Sequence, residues 1–306
     1  MANEKHRAKF FVSLLVALMF VSFSASTVFA NGGPHNGINA GSADCAFCHR
    51  ANSATGTQSL LMQDTTTLCL SCHGTGLGAN TNVADGIYIT GGDAHQYNEG
   101  VMNTPDGAPL LGGGFVNYMG KPVSSSHGVA TGSVLAWGNG VTRGELASLT
   151  QTMNCISCHD PHGSANYRMI RERINGHTVS VARVDEGLAK DYDTENWGAD
   201  IDSLCVACHS SYNVTTAGSG SDMAMIASGG YTHRVGMNYS DGSNVNPETE
   251  GYNGYHLPLA ASGKGDLVAC MTCHLPHGTS ATMSDGRDSN LLRLDNSGVC
   301  RVCHQK

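Results

Sequence analysis

The chain has 306 residues, a formal net charge of −8, and only 6% aromatic and 14% charged residues. So few large side chains cannot build an ordinary core, while a disordered chain would carry more charge. No block of Lys or Arg occurs, which disfavours nucleic acid or an anionic membrane as partner.

Residues 1–30 read as a secretory signal peptide. Lys5, Arg7 and Lys9 make its positive start, Phe10 to Phe23 its apolar run, and Val28-Phe29-Ala30 its cleavage site. The run is too short and wrongly flanked for a spanning helix, an uncleaved anchor being the alternative. Residues 31–306 are then an exported single domain without a transmembrane segment. They carry −10, because Lys5, Arg7, Lys9 and Glu4 belong to the leader.

The twelve cysteines fall into six C-x-x-C pairs, each followed at once by histidine. In chain order these are Cys45/Cys48/His49, Cys69/Cys72/His73, Cys155/Cys158/His159, Cys205/Cys208/His209, Cys270/Cys273/His274 and Cys300/Cys303/His304. Disulfides suit an exported chain, and C-x-x-C can be half a zinc site or a redox dithiol. None of these explains the fifth letter, which chance would supply six times over with odds of about one in 10⁸. Attachment of c-type haem explains all five letters. Two thiols form thioethers to the porphyrin, and the next imidazole binds the iron from one face. Six haem c groups leave about 46 residues each for the exported chain, and their flat apolar surfaces then fill the interior.

Six irons with bis-histidine ligation need six further imidazoles, and eight histidines are available outside the motifs and the leader. Methionine is the rival ligand. His162 and His277 lie in CHDPHG and CHLPHG, three residues after a motif histidine. That tether keeps each near its own haem's proximal side, so each reaches a neighbouring iron. Pro161 and Pro276 stiffen the link, and Gly163 and Gly278 allow a sharp exit. At the first motif Asn52 stands in the equivalent place, in CAFCHRAN, and an amide is a poor iron ligand. His35, in NGGPHNG, is its leading substitute, within the chain or toward a neighbour. His127, His233 and His256 lie in glycine-rich loop sequence and are further candidates, as is His95. His177 follows an Asn175-Gly176 turn between YRMIRERI and HTVSVARV, a predicted β-hairpin, and ranks last.

A three-fold repeat spans about 45–73, 155–209 and 270–304. Each unit runs from CxxCH through SLLMQ, YRMIR or NLLRL to a second CxxCH. Inserts 74–154 and 210–269 are rich in Gly, Asn, Ser and Thr. Thr67, Ser203 and Asp266 are positioned to cap short helices at the motifs. The expected fold is mostly irregular, with short helices at the motifs and a few short strands, wrapped round a chain of six stacked haems.

On these motifs the chain resembles the multihaem cytochromes with doubled CXXCH motifs. Within them it resembles the hexahaem outer-surface cytochromes that polymerise into conductive filaments. The resemblance implies alternately parallel-stacked and T-shaped bis-histidine haem pairs, and extracellular long-range electron transfer. It also implies head-to-tail self-association, with redox proteins or extracellular electron acceptors as partners. Filament-forming relatives place a histidine, able to ligate a haem of the next subunit, three residues after the first motif; this chain has Asn52 there. The chain is read as an electron carrier and not an enzyme. A discrete soluble or surface-bound carrier, extracellular or periplasmic, is one alternative. A multihaem oxyanion reductase with one open haem is another.

Overall fold

The computed structural model describes residues 35, 43–50, 52, 54–55, 60–74, 79, 81–88, 109–129, 133–135, 150–184, 196–197, 199–209, 212, 223–226, 230–260 and 267–305. The leader, His95 and Asp266 lie outside the described residues. The described chain is mostly coil, with short helices and strands of two to four residues. Among the described residues no helix is long and apolar enough to cross a membrane.

Six α-helices each carry a motif: α1 (Ala43–Cys48), α2 (Thr65–His73), α3 (Cys155–Cys158), α4 (Asp202–Val206), α5 (Cys270–Cys273) and α6 (Gly298–Cys303). Their starts differ from the expected caps. Asp64, not Thr67, caps α2: its carboxylate accepts from the Thr67 N–H at 3.0 Å. Ser203 sits inside α4, where its hydroxyl donates to the Ser180 carbonyl (2.9 Å) and accepts from the Ser180 N–H (3.0 Å). A preceding 3-10 turn, Ala199–Ile201, feeds α4 directly. At α3 and α5 the motif closes its own first turn. Ser157 accepts from the Asn154 N–H (3.1 Å) and Thr272 from the Ala269 N–H (2.9 Å).

The strands form eight two-stranded antiparallel sheets among the described residues. Six strands matter below: β1 (Ser125–Ser126), β2 (Arg173–Ile174), β3 (His177–Thr178), β4 (Met223–Ile226), β5 (Gly230–His233) and β6 (Gly278–Thr279). β2 and β3 form the expected hairpin, with Asn175 and Gly176 both at positive φ (50° and 83°). Only two residues of each flanking run pair, because a 3-10 turn takes Tyr167–Met169. β4 pairs with β5, which ends at His233. β6 pairs with β1 across more than 150 residues, laying the first insert over the fifth motif.

One backbone device recurs three times. His49, His159 and His274 form isolated bridges to Leu61, Ile170 and Leu292. The next residue donates its N–H to the carbonyl of the motif's second cysteine: Met62 to Cys48 (2.9 Å), Arg171 to Cys158 (2.8 Å) and Arg293 to Cys273 (2.9 Å). SLLMQ, YRMIR and NLLRL are thus one structural element in three copies, each folding back over the first motif of its unit.

Among the described residues aliphatic packing lies in small clusters. The largest joins Ile170, Ile174, Val179, Val181 and Ile201 to Ala260 and Ala269. A second gathers Leu257, Leu294, Val299 and Val302 round the last motif. The first ties the second unit to the start of the third, and the second ties the insert before the fifth motif to the last motif.

Candidate haem sites

The twelve cysteines are all unpaired thiols, so no disulfide competes for them. Among the described residues no three His, Cys, Asp or Glu side chains gather as a metal cluster. Burial pushes the thiols of Cys158 and Cys273 up to about 12.

Successive motifs lie near one another in chain order, and the neighbouring cysteines alternate. Within each unit the second cysteines approach: Cys48 with Cys72, Cys158 with Cys208, Cys273 with Cys303. Between units the first cysteines meet: Cys69 with Cys155, and Cys205 with Cys270, close enough to hydrogen-bond. The Cys69 hydrogen bond holds the Cys155 thiol down at about 7. The Asp202 carboxylate reinforces the second junction by accepting from the Cys270 N–H at 2.7 Å.

Each of five motif histidines faces a second histidine ring. Centroid separations are 6.0 Å for His73 and His35, 6.1 Å for His49 and His162, and 6.3 Å for His209 and His127. They are 6.4 Å both for His159 with His277 and for His304 with His233. An imidazole nitrogen binds a metal at about 2 Å, so two imidazoles on opposite sides of one metal hold their centroids about 6 Å apart. The five pairs therefore have the spacing that one iron needs. Their interplanar angles, from 11° to 68°, describe rotation between the two rings and leave that spacing intact.

The ring nitrogens are oriented for this. His35 Nδ1 donates to the Pro161 carbonyl (2.9 Å), and His127 Nδ1 to the Pro276 carbonyl. His159 donates to Arg168 (2.9 Å), His274 to Asn290 (2.8 Å) and His233 to Arg234 (2.7 Å), all at carbonyls. Fixing Nδ1 as the donor leaves Nε2 as the free ligand atom and sets the ring plane. Burial lowers the pKa of His73, His127, His159 and His274, and takes His277 down to about 3. Neutral imidazole is the form a metal binds.

The CHxPHG segments do two jobs. His162 reaches the first motif and His277 the third, while the intervening proline carbonyl holds the histidine facing the second or fourth. The carbonyl role carries no local sequence signal, because its partners lie 126 and 149 residues away. Gly163 takes a positive φ of 107°, as a sharp exit requires. Gly278 is needed for close approach instead: a Cβ there would lie 2.4 Å from the Gly114 carbonyl oxygen.

His35 faces His73 of its own chain. Asn52 is exposed. His177 is exposed on β3. For His274 the described residues supply no second ring at the common spacing. His256 has its Nδ1 buried without a hydrogen-bond partner, against Gly251. Arg234 Nε, next to His233, is likewise buried without a hydrogen-bond partner.

The doubled CXXCH motif family matches residues 35–77 and 149–176. Neither the curated proteins nor the solved structures include a match to the chain. The first matched segment opens on His35 and the second contains His162, so it takes in two of the facing imidazoles as well as motif cysteines. Thiols, imidazole and facing imidazole recur together, and the doubled CXXCH motifs indicate a multihaem c-type cytochrome with covalently bound haem c.

Proposed function

We propose that the protein transfers electrons through six covalently attached haem c groups and has no substrate chemistry of its own. The observation that carries this reading is the set of five imidazole pairs spaced 6.0–6.4 Å apart. Bound haem supplies one-electron exchange at its iron. The chain does the rest. Six cysteine pairs anchor the rings, the motif histidines bind one face, and His162, His35, His277, His127 and His233 close the other at motifs one, two, three, four and six. His256 and His95 are the candidates for the fifth. Motifs that lie near one another in chain order would keep successive groups adjacent.

Closed sites leave no position for a substrate, in contrast to an oxyanion reductase. Electron paramagnetic resonance of the oxidised holoprotein tests this: low-spin ferric signals are expected throughout. A high-spin signal from one haem per chain would overturn the closed set.

We further propose that the protein works outside the cytoplasm, as a head-to-tail filament subunit in long-range electron transport. Of the twelve cysteines Cys45 and Cys300 are the exposed ones, so the first and last motifs both reach the surface. Phe47, inside the first motif, is 47% exposed. An end-to-end contact that does not close on itself builds a filament. Electron microscopy of the secreted protein should show polymers; discrete particles would leave an individual carrier, secreted or periplasmic.

A further inference from the structure

The position that follows the bridge residue in each unit is structurally the same but chemically different. It is Met62 in the first unit, Arg171 in the second and Arg293 in the third, each donating its backbone N–H to the motif's second cysteine. Both arginines turn back onto the motif through the carbonyl that follows its first cysteine: Arg171 Nη1 to Ile156 (3.0 Å) and Arg293 Nε to Met271 (2.9 Å). Arg293 also donates Nη2 to the Leu111 carbonyl (3.1 Å) and is only 6% exposed, whereas Arg171 is exposed.

We propose that this position tunes the reduction potentials of the first haem in each unit, with Met62 leaving haem one low and Arg171 and Arg293 raising haems three and five. The proposal rests on the haem reading above. Taking one electron, from a neighbouring haem or an external one-electron donor, turns ferric iron ferrous and makes the site one unit less positive. A fixed guanidinium favours that product. The preference is strongest for Arg293, because a buried charge is little screened. Burial is the main influence on Cys273 and His274, and the Arg293 charge acts on both; Arg171 acts likewise on Cys158. Other charges face these sites. Arg168 adds to the third through His159 and His277. Asp202 opposes Arg293 at the fifth, although burial raises its pKa and favours its neutral form. Arg50 adjoins His49 at the exposed first motif.

Four variants of the holoprotein test this: Met62→Arg, Arg171→Met, Arg293→Met and Arg293→Lys. Each is titrated potentiometrically while the visible spectrum is followed, and haem per chain is counted separately. Arg293→Met should make one haem about tenfold harder to reduce, which is 59 mV for one electron. Arg293→Lys should retain most of the wild-type potential. Arg171→Met should give a smaller downward shift, and Met62→Arg an upward shift of one haem. Unchanged titrations in Met62→Arg and Arg293→Met at full haem content would overturn the proposal; if Arg293→Met does not fold, unchanged titrations in Met62→Arg and Arg171→Met do so. A wild-type count below six haems would instead overturn the six-haem reading.

Discussion

His35 faces His73 at 6.0 Å, with its other nitrogen tied to the Pro161 carbonyl. Substituting His35→Ala should therefore convert one haem per chain to high spin, seen in the ferric spectrum, and leave self-association unchanged in sedimentation. His277 gives a pH prediction. Burial holds its pKa near about 3, below the ordinary value of about 6.5. The unfolded chain therefore binds a proton between those values that the folded chain excludes. Stability from this group is full above about 6.5 and is lost as pH falls below that value. Acid titration of the low-spin spectrum should show losses within that window, and His277→Ala should flatten part of the slope. The candidate histidines themselves were legible in the sequence, because CxxCH leaves a definite number of iron faces to fill. Which imidazole faces which motif was not, because hydrogen bonds spanning more than a hundred residues leave no local pattern.

The short elements show where local sequence is informative. The Asn175-Gly176 turn is readable because only a pair of residues tolerant of positive φ suits a two-residue hairpin. The motif helices were predictable in place but not in their caps. The closing hydroxyls of Ser157 and Thr272 lie inside the CxxC pairs, at positions the motif leaves free. β6 offers a sharper test. A Cβ on Gly278 would collide with the Gly114 carbonyl oxygen and lie 3.0 Å from that of Ser125, whose strand pairs with β6. Gly278→Ala should cost about 1–3 kcal/mol of stability and disturb the low-spin signal of the haem at His159, since His277 directly precedes the glycine. Gly176→Ala should strain only the exposed hairpin, leaving the spectrum unchanged while the thermal midpoint falls.

Across the molecule, the aliphatic clusters among the described residues are small. The composition foretold this: a chain with 6% aromatics needs another source of apolar surface. Folding should consequently depend on haem attachment. Protein made without haem maturation is expected to lack protected amides in hydrogen exchange, and native-like protection there would refute that dependence. The three-fold repeat was visible in the order SLLMQ, YRMIR, NLLRL. The alternation of first-cysteine and second-cysteine contacts was not, since it depends on how the units meet in space.

The reach of His162 back to the first motif, and of His277 back to the third, has a consequence for biosynthesis. The chain is made from its N-terminus, so the first motif emerges more than a hundred residues before the imidazole that faces it. Under the proposed ligand set, the first and third haem sites would lack their facing imidazole until the following unit arrives. Coordination is thus completed retroactively, and a chain truncated after residue 154 would lose the imidazole facing a motif it still contains.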